Sequence, residues 1–370
     1  MITAMSESRV DTRVEAALKT RHQVSSLFVP HPQFTRARAE IDYLLDLTEG
    51  EDDEMPGILV LGHTRSGKST LLKKVVQEAG EVKRDAVVLT DLRYSSRAVA
   101  DYIPIVQFKM PTEPTVKSVA REILKALGDP IWWRASDAAN LKGRAEYLLE
   151  TCRPRALWID EAHHAVDRAG TYVAEELADW LKLLLDNTRV PQILSGLHRL
   201  QYLFDHNEQL RGRYNNTIEL GAYVCFHETA KGIVADETEL LDFLGILAAF
   251  VNETPLENRL DLNDESLARR FYCATCGLIG FVKKILRSAV EIVAIQKRPP
   301  RLDLILLEAA YQRAVLKKFK GSTAVNPFGR SYQGELPQTL ATDSEFGEKR
   351  AKRRRRKKEY VRAVARALTR

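Results

Sequence analysis

The stretch Gly57-Ile58-Leu59-Val60-Leu61-Gly62-His63-Thr64-Arg65-Ser66-Gly67-Lys68-Ser69-Thr70 carries two patterns in succession. Gly57 to Gly62 is a short apolar run with β-branched content, the signature of a strand buried on both faces of a parallel sheet. Gly62 to Ser69 then fits G-x-x-x-x-G-K-[ST] between an expected strand and an expected helix, the context that gives this pattern its meaning. Its glycines let the backbone turn so that N–H groups and the helix N-terminus face phosphates. Lys68 is expected to neutralise the outer phosphate oxygens of ATP, and Ser69 to reach Mg²⁺. Gly62, Thr64, Arg65, Ser66, Gly67 and Thr70 complete the expected nucleotide-contacting set.

Further along, Ala156-Leu157-Trp158-Ile159-Asp160-Glu161 is an apolar strand that ends in two carboxylates. Asp160 is expected to hold Mg²⁺ through water, and Glu161 to polarise the water that attacks the γ-phosphate. The competing reading is an acidic strand end that caps the next helix. His163 and His164 follow directly and read as packing or neighbour contacts in preference to catalytic groups. Gln192-Ile193-Leu194-Ser195-Gly196 is another short strand whose polar end should lie beside Asp160, which makes Ser195 the candidate sensor of the γ-phosphate. Small residues also end strands for purely geometric reasons.

Further strands are expected at Ala86–Leu89, Ile103–Phe108 and Ile218–Leu220, separated by helical stretches at Thr115–Leu127, Leu141–Thr151 and Val173–Leu185. An amphipathic helix over Gln33–Leu47 precedes the first strand, and Glu49–Glu54 reads as an acidic turn. Strands alternating with helices imply an α/β fold with a doubly wound parallel sheet. From Phe226 the β pattern stops and helices follow at Glu237–Val251, Asp264–Cys276, Phe281–Ile295 and Leu302–Lys317. The expected organisation is an N-terminal extension (1–32), an α/β nucleotide-binding domain (33–225), a small all-helical lid (226–320), and a flexible linker with a basic tail (321–370).

A chain of 370 residues, 45% hydrophobic and 29% charged, has apolar material for a conventional domain and a smaller companion. No apolar run is long enough to cross a bilayer and the first thirty residues lack a secretory core, so a cytoplasmic location without membrane contact is expected. The four cysteines are too few and scattered for a disulfide framework, and Cys273 and Cys276 read as small buried helix residues instead of metal ligands. The net charge of +6 is uneven, because residues 343–370 hold twelve Lys/Arg against Asp343, Glu345, Glu348 and Glu359. Tyr360, Val361, Val364, Ala365 and Leu368 follow the charge run and can share one helical face, a pattern suited to a tail that folds on a partner or on DNA phosphates.

With those residues in place, the chain resembles the TnsC/TniB family of transposition AAA+ ATPases. The resemblance runs from Phe28 to Leu316. Besides the phosphate loop (Walker A) and the acidic strand (Walker B), it rests on Ile105-Val106-Gln107-Phe108-Lys109-Met110-Pro111-Thr112-Glu113-Pro114-Thr115-Val116, on Gln209 to Arg213, and on Gly277-Leu278-Ile279-Gly280. It implies a homo-oligomeric ring or filament of ATP-bound subunits on double-stranded DNA. Such an assembly links a target selector of the TniQ/TnsD type to a TnsA/TnsB-like transposase and is disassembled by hydrolysis. It also implies an arginine finger, falling on Arg213 with Arg211 next in line, although two arginines there also suit a solvated face. Many AAA+ proteins end a G-x-x-R sensor motif with arginine where this chain has Gly280, a departure shared by the TniB type, and Lys283 or Lys284 are the expected substitutes. Lys109, Lys117 and Arg121 are the expected DNA contacts, each equally readable as a solvated basic side chain; phosphate contacts alone would position the protein without reading bases. Two other readings stay open: a helicase- or origin-loading ATPase, and a scaffold that binds ATP with little hydrolysis.

Overall fold

The computed structural model describes residues 24–337 except 25, 48–54, 91–97, 135–136, 168–170, 206, 231, 297 and 316–324. The acidic turn at Glu49–Glu54 and the basic tail at 343–370 lie outside the described residues. The chain divides into two compact units. Among the described residues, one runs over Arg36–Thr64 and Lys68–Leu220; the other gathers Val24–Thr35, Arg65–Gly67 and Gly221–Pro337.

The first unit is built on a five-stranded sheet of β1 (Gly57–Gly62), β4 (Ile105–Lys109), β5 (Ala156–Asp160), β6 (Gln192–Gly196) and β7 (Asn216–Leu220), in the spatial order β4-β5-β6-β1-β7. Every neighbouring pair is parallel. β1, β5 and β6 are buried at every position, as continuous apolar runs covered on both faces must be. Because Val60 pairs with Ser195 and Ile159 with Leu194, the C-terminal ends of β1, β6 and β5 lie side by side. That edge is where a doubly wound sheet binds its ligand. The expected strand at Ala86–Leu89 does not join this sheet. Lys83–Val88 (β2) pairs antiparallel with Val99–Tyr102 (β3) as a separate two-stranded ribbon with Val88 and Val99 exposed, so β propensity was read correctly there but sheet membership was not.

The helices of this unit start where short polar side chains satisfy their first N–H groups. Thr115 and Ser118 form a reciprocal capping box ahead of Val116–Ala126, and Asp137 caps Ala138–Cys152. Val119, Ile123 and Leu124 of the one helix and Leu141, Leu148 and Leu149 of the other are buried in a core that also takes in Val106, Leu157 and Leu194 of the sheet.

The second unit is helical, with Glu237–Asn252, Glu265–Thr275, Ile279–Gln296 and Leu304–Ala314 enclosing a core around Phe243, Phe271, Ile285 and Leu307. It also carries a hairpin, β8 (Phe226–Thr229) with β9 (Gly232–Ala235), where the sequence suggested helices alone. Two boundaries move. The segment before Thr35 belongs to this unit: Val24 is fully buried in its core and His31 Nδ1 lies 3.1 Å from the Tyr223 hydroxyl. Part of the expected linker is also folded, since Phe328 is buried against Phe271 and Tyr311, and Arg270 donates to the carbonyls of Pro327 and Gly329. Two aromatic rings in a polar stretch outweighed its loop-like composition. Among the described residues no helix is long and apolar enough to cross a membrane.

Candidate active site

The phosphate loop sits where β1 hands over to the helix Lys68–Glu78. Lys68 is buried, and its ammonium donates to the carbonyls of Gly62 (2.7 Å) and His63 (2.9 Å), which aims it across the mouth of its own loop. Arg65 and Gly67 take positive φ angles of 73° and 109°, the turn that brings successive N–H groups to one side. The Ser66 hydroxyl is buried with no hydrogen-bond partner among the described residues, while Thr64, Ser69 and Thr70 are exposed. A loop with an unsatisfied buried hydroxyl, a charged ammonium and exposed hydroxyls fits a phosphate and its Mg²⁺.

At the end of β5, Asp160 is 2% exposed, and its Oδ1 accepts a hydrogen bond from Ser195 Oγ at 2.7 Å. Ser195 Oγ in turn accepts from the Trp158 indole Nε1 at 2.9 Å. The only hydroxyl proton of Ser195 is therefore committed to Asp160. A phosphate oxygen is purely an acceptor, so in this geometry the Ser195 hydroxyl proton is engaged by Asp160 and not by a phosphate. Trp158 was read only as a strand residue; the signal that could have revealed its part is that a buried indole N–H needs a partner.

Glu161 follows with φ 55°, a left-handed turn that a non-glycine residue adopts at a cost and that projects its half-exposed side chain away from the strand. His163 is buried, and its Nε2 lies 3.4 Å from Glu161 Oε2. Burial, reinforced by the positive Arg199 nearby, lowers the His163 pKa to about 4, so the ring is neutral at pH 7. Arg199, in the short turn His198–Gln201 that follows β6, donates to both oxygens of Asp167.

The remaining expected residues are spread more widely. Arg213 ends the short helix Glu208–Arg213 and its Nε lies 2.9 Å from Asp186 Oδ1, with 18% of the side chain exposed. Arg211, two residues back, is exposed. Lys109 is exposed at the end of β4, in register with Asp160. Lys117 and Arg121, half-buried, lie one turn apart on the helix Val116–Ala126.

In the helical unit, the Gly280 N–H donates to the Arg65 carbonyl at 3.1 Å, and the Arg65 guanidinium lies over the Phe281 ring at 5.2 Å. A Cβ on residue 280 would stand 2.5 Å from that carbonyl oxygen and 2.7 Å from the Arg65 Cβ, so a side chain has no room here. An arginine at this position would require the Arg65 backbone to shift. Of its expected substitutes, Lys283 donates to the Leu27 carbonyl at 2.7 Å and Lys284 lies over Phe281.

A parallel sheet with a phosphate loop after its first strand, and a buried aspartate and a half-exposed glutamate at a nearby strand end, defines an AAA+ ATPase-like P-loop protein. The profile of the family described as Bacterial TniB protein matches residues 19–220, and the chain belongs to that family. The fold is similar to that of the ORC2 protein of Aeropyrum pernix, solved as ADPNP–ADP complexes. The TM-score is 0.53 at 14% identity, covering 78% of this chain and 71% of that one. It is also similar to Cdc6p of Pyrobaculum aerophilum, with TM-score 0.54, 13% identity and coverage of 79% and 70%. A third likeness is the Aeropyrum pernix ORC1 protein, solved in complex with DNA, with TM-score 0.50, 15% identity and coverage of 79% and 69%. No curated protein sequence matches the chain.

Proposed function

We propose that this protein is an ATP-hydrolysing, DNA-binding regulator of transposition that oligomerises on target DNA and links a TniQ/TnsD-like selector to a TnsA/TnsB-like transposase. The observation that carries the hydrolytic part is the Trp158–Ser195–Asp160 chain of buried hydrogen bonds beside a turned-out Glu161. A scaffold that only binds ATP has no use for a second carboxylate held in a strained turn.

In this reading Mg²⁺, when bound, would neutralise phosphate charge, and Asp160 and Ser69 are the residues that would hold it. Ser195 keeps Asp160 in place. Lys68 exchanges its two carbonyl contacts for phosphate oxygens. Glu161 accepts the proton of the attacking water, and its exposure leaves room for that water. The arginine finger reaches a neighbouring subunit from the Glu208–Arg213 helix. Arg213 must leave Asp186 to do so, while Arg211 is already exposed. Lys109, Lys117 and Arg121 contact DNA phosphates, in keeping with the DNA complex of the ORC1 neighbour. Hydrolysis then disassembles the oligomer.

The test is ATP binding and turnover with and without duplex DNA. Lys68→Ala is expected to lose nucleotide affinity on the order of a hundredfold, about 2.7 kcal/mol. Glu161→Gln is expected to keep affinity while turning over at least about tenfold slower. Equal ATP affinity in Lys68→Ala and wild type removes the reading. A second reading, origin- or helicase-loading, is separated by the partner that stimulates turnover: a helicase for that reading, a transposase for the one proposed here.

A further inference from the structure

Resting on the ATPase reading above, we infer that His163 is a positioning residue that holds the Glu161 carboxylate in its working orientation and ties it to the end of β6. The Leu197 N–H, just past β6, donates to His163 Nδ1 at 3.4 Å. In a neutral imidazole one nitrogen accepts and the other carries the proton. The bond from Leu197 therefore places the proton on Nε2, the atom 3.4 Å from Glu161 Oε2. A ring with that tautomer turns its N–H edge toward the carboxylate at 3.4 Å, a separation that a small shift closes to a hydrogen bond. The same tautomer withholds a lone pair from any cation at the cluster of Glu161, His163 and His164.

The competing acceptor is Asp167, whose Oδ2 lies 3.9 Å from the same nitrogen. Arg199 already engages both Asp167 oxygens, which leaves Glu161 as the nearer and less satisfied carboxylate. The ring is also held from behind. A Cβ on Gly196 would stand 3.1 Å from His163 N and 3.3 Å from its Nδ1, so glycine at that position is what lets the ring approach β6. The Ala162 N–H donates to the Ser195 carbonyl at 2.9 Å and fixes the turn itself. The strand end that orients Asp160 through Ser195 thus also orients Glu161 through Leu197 and His163. Closed to a hydrogen bond, this contact from a neutral donor would restrict the carboxylate without adding a positive charge that weakens it as a base.

The experiment is steady-state ATP hydrolysis by the full chain with duplex DNA, alongside nucleotide affinity and thermal melting, for His163→Ala, His163→Gln and His163→Asn. The glutamine amide reaches the place of Nε2 and the asparagine amide only that of Nδ1. We expect kcat to fall about tenfold in Ala and Asn, with ATP affinity unchanged within about twofold, and to return within about threefold of wild type in Gln. Equal rates in Gln and Asn, an unaffected kcat in Ala, or rate losses that only follow the melting temperature overturn the inference and leave the ATPase reading standing. A wild-type chain that binds ATP and never hydrolyses it, with or without DNA, overturns both.

Discussion

The sheet unit and the helical unit treat their buried polar groups differently. In the sheet unit several of these groups pair between separate elements: Arg144 with Asp129, Trp158 with Ser195, Ser195 with Asp160, and Tyr214 Oη with Gln192 at 2.6 Å, while Thr188 bonds back to the Leu184 carbonyl and Lys68 to its own loop. In the helical unit the buried Thr254 and Thr275 hydroxyls bond back to nearby backbone, at the carbonyls of Val251 (2.7 Å) and Phe271 (2.8 Å). Two groups there differ: the Ser288 hydroxyl has no partner among the described residues, and His31 meets Tyr223 from far away in sequence. A polar group satisfied by its own helix costs little and orients nothing else. A polar group satisfied by a distant strand fixes two elements against each other, as a catalytic carboxylate requires.

If that contrast is right, the largest effect should come from Arg144→Ala, which leaves Asp129 buried without its ionic partner. The expected loss is about 3–5 kcal/mol, read by chemical denaturation. The double change Arg144→Met with Asp129→Leu should recover most of it, because the cost lies in the orphaned charge. A loss under about 1 kcal/mol in the single variant would show the pair to be dispensable and break the contrast at its strongest point.

Ser195→Ala sharpens it at the site. The change strips a partner from both the Trp158 indole and Asp160, so about 1–3 kcal/mol of stability should go. Turnover should fall with it, whereas Trp158→Phe should cost stability and spare most of the turnover, since Asp160 keeps its donor. If Ser195→Ala hydrolyses ATP at the wild-type rate, Asp160 does not depend on that hydroxyl.

The smallest effect is expected from Thr275→Val in the helical unit. The shape is kept, the bond lost is local, and about 1 kcal/mol or less should be read in the melt with no change in hydrolysis. A larger loss, or any loss of turnover, would mean that the helical unit also uses buried polar groups to position distant parts.

Sequence reached furthest where function rests on contiguous backbone. The strand and turn from Gly57 to Ser69 had to be legible, because phosphate binding by N–H groups needs a fixed spacing of glycines, a lysine and a hydroxyl along one segment. The alternation of apolar runs and helical stretches likewise fixed the α/β class and the helical second part, since burial on both faces of a sheet leaves no choice of residue type. What could not be read were pairings between segments. The ribbon of Lys83–Val88 with Val99–Tyr102 left the main sheet, and Phe328 folded onto Phe271 from a stretch that looked like linker. Whether the Ser195 proton goes to a phosphate or to Asp160, whether Arg213 is held by Asp186, and how much room Arg65 leaves for a side chain at residue 280 depend on distances of an ångström between atoms far apart in the chain. Composition and periodicity carry no such distances. The packing of the strand ends and turns does, because hydrogen bonds weaken steeply with misalignment and a close approach admits or refuses a single Cβ.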